Sequence, residues 1–461
     1  MLITQDVLEQ HRQLSEVSAQ FLAYAKENPE VLKASAFNRL MLNDDLFTLQ
    51  PWPTFINKTV KEQFSKVASS LFRLCKSIPA RIFGNDPQKI SEYYEIPLDE
   101  AKTCLQGITD DHLEHLVGRG DFTLSSSGLK CLEFNVTTNL GGWDVPVWES
   151  LYLSTPVISK FISQNQIKVL NENLFRKFIQ HATESTLKKF TNKHEMNILF
   201  VIPDHKKALG SKVGYLNQLY QSVLQQKEFP VRGEVMIGDI QQLEKEKQYL
   251  YYNGSPVHCL IEMYQGKITP VVAEVFKAGN VRLLNGPASN LVRNKLNLAL
   301  LSDYRTLDNH PFNCEEKGII DRYIPWTRKI APIETLFNGQ SLQMKDLILN
   351  NKDRLVIKPG DGYGGKGVYI GKHTSDSQWQ EAFNIAMAEK NWLVQEYVES
   401  LNFLYQTGEN GCEMHDMAWG FFLLGNDYAG GWTRVLPQKH QRGVINCHAG
   451  AKAGVIFEIE T

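Results

Sequence analysis

The chain has few of the features that would place it outside the class of ordinary globular proteins. Its 461 residues contain no apolar run of the roughly 18 residues that a membrane helix requires. The N-terminus has no basic region followed by an apolar core, so we expect no secretory signal. The seven cysteines are scattered and include no CxxC pair, which is typical of reduced thiols in a cytoplasmic protein. The formal net charge of −2 gives no electrostatic reason to expect nucleic acid or an anionic membrane as a partner.

The sequence also lacks a recognisable set of nucleophilic catalytic residues. No Ser/His/Asp or Cys/His arrangement is apparent, and Cys447 and His448 would point to opposite faces if both lay on a strand. The His-Arg-Asp signature of protein kinases does not occur. The residues therefore give no indication of nucleophilic catalysis by a side chain.

Glycine, in contrast, is concentrated in one stretch between two apolar runs. Residues 355–357 are apolar, Lys358 follows, and glycines stand at 360, 362, 364, 365 and 367 before the second apolar run, 368–370. This order predicts a strand, a glycine loop and a second strand. Because glycine has no Cβ, several amide N–H groups can approach one anion closely. The sequence therefore predicts a polyphosphate cradle built from Lys358, Gly362, Gly364, Gly365 and Lys366.

Three better-known phosphate loops fit this stretch less well. The spacing Gly360-x-Gly362-x-x-Gly365 matches the dinucleotide pattern, but that pattern should open a helix, and a strand is expected here. Gly367 stands where a P-loop needs Ser or Thr to reach magnesium, and where a kinase glycine loop needs Val. A tight flexible hairpin without function is the remaining alternative, although five glycines and two lysines exceed what a turn requires.

A second group of polar residues belongs to a predicted hairpin further upstream. Residues 118–124 and 129–135 read as two strands joined by a turn at 125–128. Strand alternation places Leu132 and Phe134 on one face and Glu133 and Asn135 on the other. An exposed polar hairpin face would show the same alternation, so the pattern alone leaves that alternative open.

Paired, these strands would gather oxygen ligands for one hard cation. Magnesium prefers carboxylate and carbonyl oxygens together with phosphate oxygens and waters. The candidate ligands are Asp121, Glu133 and Asn135, and Arg119 on the same face could contact a phosphate or orient a carboxylate.

The rest of the chain supplies further candidates. Lys295 lies in the first turns of a predicted helix, and it is either aimed at the site or an ordinary solvated lysine. Arg434 follows a Gly-Gly bend on a strand and is a candidate clamp on a phosphoryl group. The end of the buried strand 391–398 offers an edge for an adenine, formed by Gln395, Glu396, Tyr397 and Val398. Tyr405, His415 and Asp416 are candidates for lining a substrate site, and a part for Asn446 or His448 is left open.

Hydrophobic periodicity divides the chain into five regions. Alternation of buried runs with helices between residues 191 and 345 indicates an open α/β subdomain. The expected regions are a helical N-terminal region (1–110), the metal-binding hairpin with helices (111–190), the α/β subdomain (191–345), the glycine-rich lid with the adenine hinge (346–400), and C-terminal strands that complete the core (401–461).

Taken together and in this order, the motifs resemble the circularly permuted ATP-grasp ligases, which include glutathionylspermidine synthetase and uncharacterised relatives. The Glu133-x-Asn135 strand precedes the glycine-rich loop, whereas it follows that loop in an ordinary ATP-grasp enzyme. Asn294-Lys295, the glycine loop, the run 394–398 and the segments 431–435 and 444–450 also resemble the family's motifs. The resemblance covers about 118–150 and 280–455 and implies an α/β (α+β) fold of the permuted ATP-grasp type.

The resemblance implies an ATP-dependent carboxylate–amine ligase with ATP and Mg²⁺ as cofactors. A carboxylate would attack the γ-phosphate, and an amine would displace phosphate from the acyl phosphate. It implies Asp121, Glu133 and Asn135 on magnesium, Lys295 and Lys358 on phosphates, and Arg119 and Arg434 on the γ-phosphate or acyl phosphate. Small carboxylate and amine substrates, of amino-acid or peptide type, are the expected partners. A small-molecule kinase and a nucleotide-binding protein without ligase activity remain alternatives.

Overall fold

The computed structural model describes residues 3–28, 47–106, 108–191, 194–202, 213–263, 268–307, 311–362, 364–407, 411–438 and 443–460. The architecture is mixed α/β, with three main sheets among the five that the described residues form. A large, mostly antiparallel sheet carries most of the core, a parallel sheet lies beside it, and a smaller antiparallel sheet carries the glycine loop. No helix in the described ranges is both long and apolar enough to span a membrane.

The large sheet has eight strands. Its order is β1-β21-β20-β19-β2-β3, with β18 paired to β19 and β4 paired to β21. β1 runs parallel to β21, and the other pairs are antiparallel. The strands are β1 (Thr54–Asn57), β2 (Val117–Ser125), β3 (Gly128–Asn135), β4 (Lys168–Val169), β18 (Asn402–Thr407), β19 (Gly411–Leu424), β20 (Asp427–Pro437) and β21 (Lys452–Glu460).

One long helix, α3 (Lys58–Arg81), packs across this sheet. The Asn57 side chain accepts a hydrogen bond from the backbone N–H of Val60 at 2.9 Å and so caps its first turn. Phe64 meets the rings of Trp419 and Phe421 on the sheet, both with centroids 5.2 Å away. Further helices that precede or follow the hairpin strands are α1 (Gln5–Arg12), α2 (Glu16–Glu27), α4 (Pro87–Tyr94), α5 (Leu98–Gln106), α6 (Asp110–Glu114), α7 (Val145–Ser154) and α8 (Pro156–Gln164).

The parallel sheet has the order β11-β10-β5-β6, and all of its pairs are parallel. Its strands are short and buried, as expected for a sheet covered on both faces. The elements are β5 (Ile198–Val201), β6 (Val235–Gly238), β10 (Cys259–Glu262), β11 (Arg282–Leu283), α9 (Leu174–Lys189), α10 (Val213–Gln226) and α11 (Pro270–Lys277), with a small antiparallel sheet of β7 (Leu243–Glu246), β8 (Tyr249–Tyr252) and β9 (Ser255–Val257).

The sheet that carries the glycine loop, here called the lid sheet, has the order β12-β17-β15-β16 and its own apolar cluster. Its strands are β12 (Thr327–Lys329), β15 (Leu355–Pro359), β16 (Tyr369–Ile370) and β17 (Trp392–Glu396). The neighbouring elements are the helices α15 (Met344–Asn350) and α16 (Asp376–Glu389) and a separate two-stranded sheet of β13 (Glu334–Phe337) and β14 (Gln340–Gln343). The helices α12 (Ser289–Val292), α13 (Leu296–Ser302) and α14 (Cys314–Tyr323) lead into it from the parallel sheet.

Two details differ from the expectations drawn from sequence. The first 110 residues contain β1, a strand of the large sheet, in addition to helices. The boundary expected at 345/346 cuts through the lid sheet, because β12 pairs with β17 and Phe337 packs into the same cluster.

The predicted hairpin of residues 118–135 forms as β2 and β3, with one bulge that the alternation pattern could not show. Asp121 pairs with Glu133 and Phe122 with Cys131, which leaves Leu132 as the extra residue. Alternation predicted that Leu132 and Phe134 share one face, and this is wrong. Phe134 is buried, whereas Leu132 lines a central pocket. Its carbonyl oxygen is turned out of the strand pairing and accepts a hydrogen bond from Lys358.

Candidate functional site

Two adjoining pockets lie where the glycine loop faces the β2–β3 hairpin. The first, here called the apolar pocket, has a volume of about 170 Å³ and walls that include Val356, Val368 and Ile370. The second, the polar pocket, has a volume of about 150 Å³ and is lined by groups such as Asn139 and Thr137. They share Asp121, Glu133, Gly364, Gly365, Arg434 and Asn446, so a ligand could extend from one into the other.

The structure brings Asp121, Glu133 and Asn135 together on one face of the hairpin. The Asn135 amide Nδ2 donates to Asp121 Oδ2 at 3.0 Å and to Glu133 Oε1 at 3.1 Å. Among the described residues, no three His, Cys, Asp or Glu side chains form a metal-binding group. A cation here would therefore be held by two carboxylates and an amide, a donor set that suits Mg²⁺ when phosphate oxygens and waters complete the coordination.

Asp121 already has several partners. Arg119 donates to both of its oxygens, from Nε at 2.7 Å and from Nη2 at 3.0 Å. Arg434 Nη2 lies 2.9 Å from Oδ1. Burial raises the pKa of Asp121, but Arg119 and Arg434 outweigh burial and hold that pKa below its ordinary value. To bind a cation, Asp121 would have to give up one of these contacts, whereas Glu133 has fewer.

The two arginines differ in how firmly they are held. Arg119 also donates from Nη1 to the carbonyl oxygen of Gly141 at 2.9 Å. Arg434 is 8% exposed, and its Nε and Nη2 make no well-aligned hydrogen bond with a described residue. Its 2.9 Å approach to Asp121 is thus a charge contact rather than a directed hydrogen bond. Arg434 therefore keeps buried donors for the oxygens of a ligand.

Two buried lysines point at the same region from the other side. Lys358 Nζ donates to Leu132 O and to Gln395 Oε1, each at 2.9 Å. Lys295 Nζ donates to Gly362 O at 2.8 Å and lies 3.6 Å from Glu133 Oε2. Burial lowers the pKa of Lys358 to about 8, although Glu133 acts in the opposite direction.

The charge of Glu133 depends on these lysines. Burial raises the pKa of Glu133, but Lys295 and Lys358 lower it, and it lies below its ordinary value. Glu133 is therefore ionised at neutral pH, as a cation ligand must be.

The glycine loop approaches the segment 443–446 across the pocket mouth. Gly365 has φ +75°, and a Cβ there would lie 3.0 Å from Val444 Cγ1. Gly364 has φ +65° with open space around it. Glycine is required at both positions for its backbone conformation, and at Gly365 also for the close approach. Gly362 and Lys366 line the apolar pocket, and Tyr363, between them, lies outside the described residues.

The predicted adenine edge, Gln395 to Val398, also lines the apolar pocket. Gln395 is buried and connects two elements, because its Oε1 accepts from Lys358 and its Nε2 donates to Thr327 Oγ1 at 3.0 Å. It therefore orients Lys358 and is less available to a ligand than its three neighbours.

Sequence reasoning missed or misplaced several residues. Trp432 lies beneath both arginines, with its ring centroid 5.6 Å from the Arg119 guanidinium carbon and 5.5 Å from that of Arg434. Its position two residues before Arg434 on a strand was the available signal. The polar pocket also contains Asn446, Cys447 and His448.

Of the three tentative substrate residues, one lies at the site. Asp416 lines the apolar pocket. Tyr405 and His415 are buried in the core, where the Tyr405 hydroxyl hydrogen-bonds Thr54, so the expectation that these two line the site is wrong.

Comparison with known proteins shows weak but consistent similarities. No family model matches the chain. Two proteins named as glutamate–cysteine ligases are similar over short segments: one from Frankia alni, 28% identical over 130 residues, and one from Frankia casuarinae, 44% identical over 52 residues. These segments cover 28% and 11% of this chain but 13% and 6% of the two relatives, so the chain matches only a small part of either.

Among solved structures, the chain is similar to a glutathione synthetase-like effector from Globodera pallida. The TM-score is 0.60 with 12% sequence identity, and the alignment covers 99% of this chain and 98% of the other. At this identity the likeness shows the fold. The chain therefore has the fold of a glutathione synthetase-like protein, and its similar proteins are named for ligase activities. The finer likeness to glutathionylspermidine synthetase and the circular permutation stay predictions.

Proposed function

We propose that the chain is an ATP-dependent carboxylate–amine ligase that forms an amide bond through an acyl phosphate. The observation that carries this proposal is the convergence of Asp121, Glu133 and Asn135 with Lys295 and Lys358 at the junction of two different pockets. Phosphoryl transfer needs neutralised charge and alignment more than a nucleophilic side chain. The residues at the junction supply both.

The two pockets suit two ligands of different chemistry. The apolar pocket, with Val356 and Ile370 on its walls and the strand end 395–398 at its edge, suits an adenine base. The polar pocket, with Arg119 and Arg434, suits a small carboxylate substrate of amino-acid or peptide type. The shared residues lie where the γ-phosphate and the carboxylate would meet.

The residues themselves would perform a limited set of tasks. Glu133 and Asn135, with Asp121, would hold Mg²⁺, which when bound neutralises phosphate charge. Lys295 and Lys358 would orient the phosphates, and Arg434 would contact the transferred phosphoryl group. The loop around Gly364 and Gly365, facing Val444, would restrict the entry of water, which otherwise hydrolyses an acyl phosphate.

The test is a thermal-shift titration with ATP, with and without magnesium, followed by an ADP-release assay. A ligand that binds only the folded state raises the melting temperature in a concentration-dependent way. We expect a magnesium-dependent rise, and ADP release that requires both a carboxylate and an amine. ADP release with an acceptor alone and no amine would instead indicate a kinase. Binding without any release would indicate a nucleotide-binding protein, and no shift at all would contradict both.

A further inference from the structure

A third cavity lies away from the central pockets and has a volume of about 540 Å³, within the roughly 300–1,000 Å³ typical of small-molecule sites. It opens between α5, α6, the ends of α9 and α11, and β11, and it shares no described lining residue with the apolar or polar pocket. We call it the basic cavity; the residues that matter below are Asp111, His112, Lys189, Phe276, Lys277 and Arg282.

The cations of the basic cavity outnumber its carboxylates. Lys189, Lys277 and Arg282 face a single described carboxylate, Asp111, which is already paired with Arg282 at 2.7 Å. Burial, with Arg282 beside it, lowers the pKa of Lys189 to about 8. Burial also lowers the pKa of His112, which is therefore neutral at neutral pH. The cavity thus holds an excess of positive charge that an anion would relieve.

Helix ends explain part of this charge but not all of it. Lys189 and Lys277 are the last residues of α9 and α11, where a cation offsets the negative end of the helix dipole. Arg282 lies on β11 and is 3% exposed. Burying a guanidinium beside a second cation is costly. Arg282 donates to Ser185 O and Lys189 to Val281 O, but Asp111 is the one described carboxylate that lines the cavity.

One wall of the basic cavity is aromatic. The ring of Phe276 meets the His112 ring edge-on at a centroid distance of 6.0 Å, and Lys189 Nζ lies 5.7 Å from its centroid. A ligand that fits this wall and the charge has a planar apolar part and an anionic group.

A short chain of hydrogen bonds connects the basic cavity with the central site. His112 Nε2 lies 2.6 Å from the carbonyl oxygen of Asn285. The Asn285 side chain accepts from Val117 N at 2.6 Å and donates to Val117 O at 2.9 Å. Val117 begins β2, the strand that carries Arg119 and Asp121. A shift of His112 would therefore act on the strand that positions both residues.

We propose that the basic cavity binds a small organic anion with a planar apolar part, and that the bound anion changes nucleotide affinity at the central site through His112, Asn285 and β2.

The binding test uses titration calorimetry of the whole chain with phenyl phosphate, benzoate and benzyl alcohol. The two anions share a ring and differ in the anionic group, and the alcohol carries no charge. We expect at least one anion to bind and benzyl alcohol not to. Lys277→Gln, an exposed position that leaves folding intact, should weaken anion binding about five-fold. Lys358→Met, in the central site, should leave it unchanged.

The opposite response of the two variants would contradict anion binding in the basic cavity. Loss of binding in Lys358→Met but not in Lys277→Gln would place the anion in the central site. Failure of both anions to bind, or equal binding of benzyl alcohol, would show that the cavity does not recognise an anion.

The effect of the anion on nucleotide affinity is measured separately. This measurement rests on the proposed function, whereas the calorimetry of anion binding does not. The dissociation constant of a non-hydrolysable ATP analogue with magnesium is measured with and without saturating anion. We expect a change of at least about two-fold in the parent, and in Lys277→Gln the same change only at about five-fold higher anion concentration, since the effect follows occupancy of the basic cavity. An unchanged constant in the parent would overturn the coupling.

Discussion

At the scale of single residues, the number of partners that a side chain already has decides what it can still bind. Asp121 is engaged by Arg119, Arg434 and Asn135, whereas Glu133 has an Asn135 contact and a lysine at 3.6 Å. Both carboxylates were predicted as cation ligands from strand alternation. Asp121 has more partners than Glu133 partly because of Arg434, which lies more than 300 residues away in sequence. Local sequence could not show this contact.

Replacing Glu133 with Gln should remove the magnesium dependence of ATP binding. The substitution keeps the shape but removes the charge that faces Lys295, so ATP turnover should fall by about 100-fold or more. Thermal shift with ATP, with and without magnesium, measures the first effect, and ADP release measures the second. Parent-like magnesium dependence in Glu133→Gln would show that this carboxylate is not a ligand.

Glu149 on α7 provides a matched control for that substitution. Burial raises the pKa of Glu149 to about 8, so its carboxyl group is largely protonated at neutral pH. It accepts a hydrogen bond from Asn171 and lines neither central pocket. Glu149→Gln should therefore leave ATP binding unchanged.

The affinity for ATP should fall as the pH rises above about 8. Lys358, with its pKa lowered to about 8 by burial, is charged below that pH and neutral above it, and only the charged form attracts phosphate. Calorimetry between pH 6.5 and 9.5 should show the dissociation constant rising about ten-fold per pH unit at the alkaline end. Lys358→Met should bind ATP weakly and without this alkaline rise. The same rise in Lys358→Met would assign it to another group.

At the scale of elements, the site consists of two hairpins and a facing loop. Strand alternation and glycine spacing predicted both hairpins, and the roles of their site residues stay predictions. The bulge at Leu132 was not predictable from alternation, because a single extra residue reverses the faces without leaving a compositional mark. The position of Val444 against Gly365 depends on tertiary packing, so local sequence could not show it.

Alanine substitutions at Gly364 and Gly365 distinguish the cost of a positive φ from the cost of a side-chain clash. Each substitution should destabilise the loop by about 1 kcal/mol because of the positive φ. Gly365→Ala should in addition displace Val444, whereas the Cβ of Gly364→Ala meets open space. ATP affinity by calorimetry should therefore fall more for Gly365→Ala. Adding Val444→Ala should restore part of the difference. Equal effects of the two alanines, with no restoration, would show that this contact does not shape the pocket.

At the scale of the whole molecule, the buried strands of the α/β subdomain were easier to predict than the short strands that complete the other two main sheets. Buried apolar runs indicated the parallel sheet, but the strand β1 was hidden in a region whose periodicity is mainly helical. Four residues paired with a strand at the far end of the chain carry too little local signal to be found. The start of the lid sheet near Thr327 was not predicted for the same reason, since β12 has only three residues.

Phe55 on β1 should be essential to the stability of the whole molecule. It is fully buried and meets the rings of Phe21, Phe161 and Phe457 at 5.3, 5.9 and 5.5 Å. Phe55→Ala should lower the free energy of unfolding by about 3–5 kcal/mol, measured by urea denaturation. Leu336→Ala, at a position that is 59% exposed, should change it by less than about 0.5 kcal/mol. Equal losses would contradict this placement of the core.

The parallel pairing of β1 with β21 has a consequence for synthesis on the ribosome. Residues 54–57 emerge early, yet their partners, residues 456–459, emerge roughly 400 residues later. Until then β1 has no strand to pair with, because β18, β19 and β20 also follow residue 401, and Phe55 lacks its contact with Phe457. At about 5–20 residues per second this interval lasts on the order of 20–80 seconds. The nascent chain should therefore need a chaperone that holds the N-terminal segment until the last strand arrives.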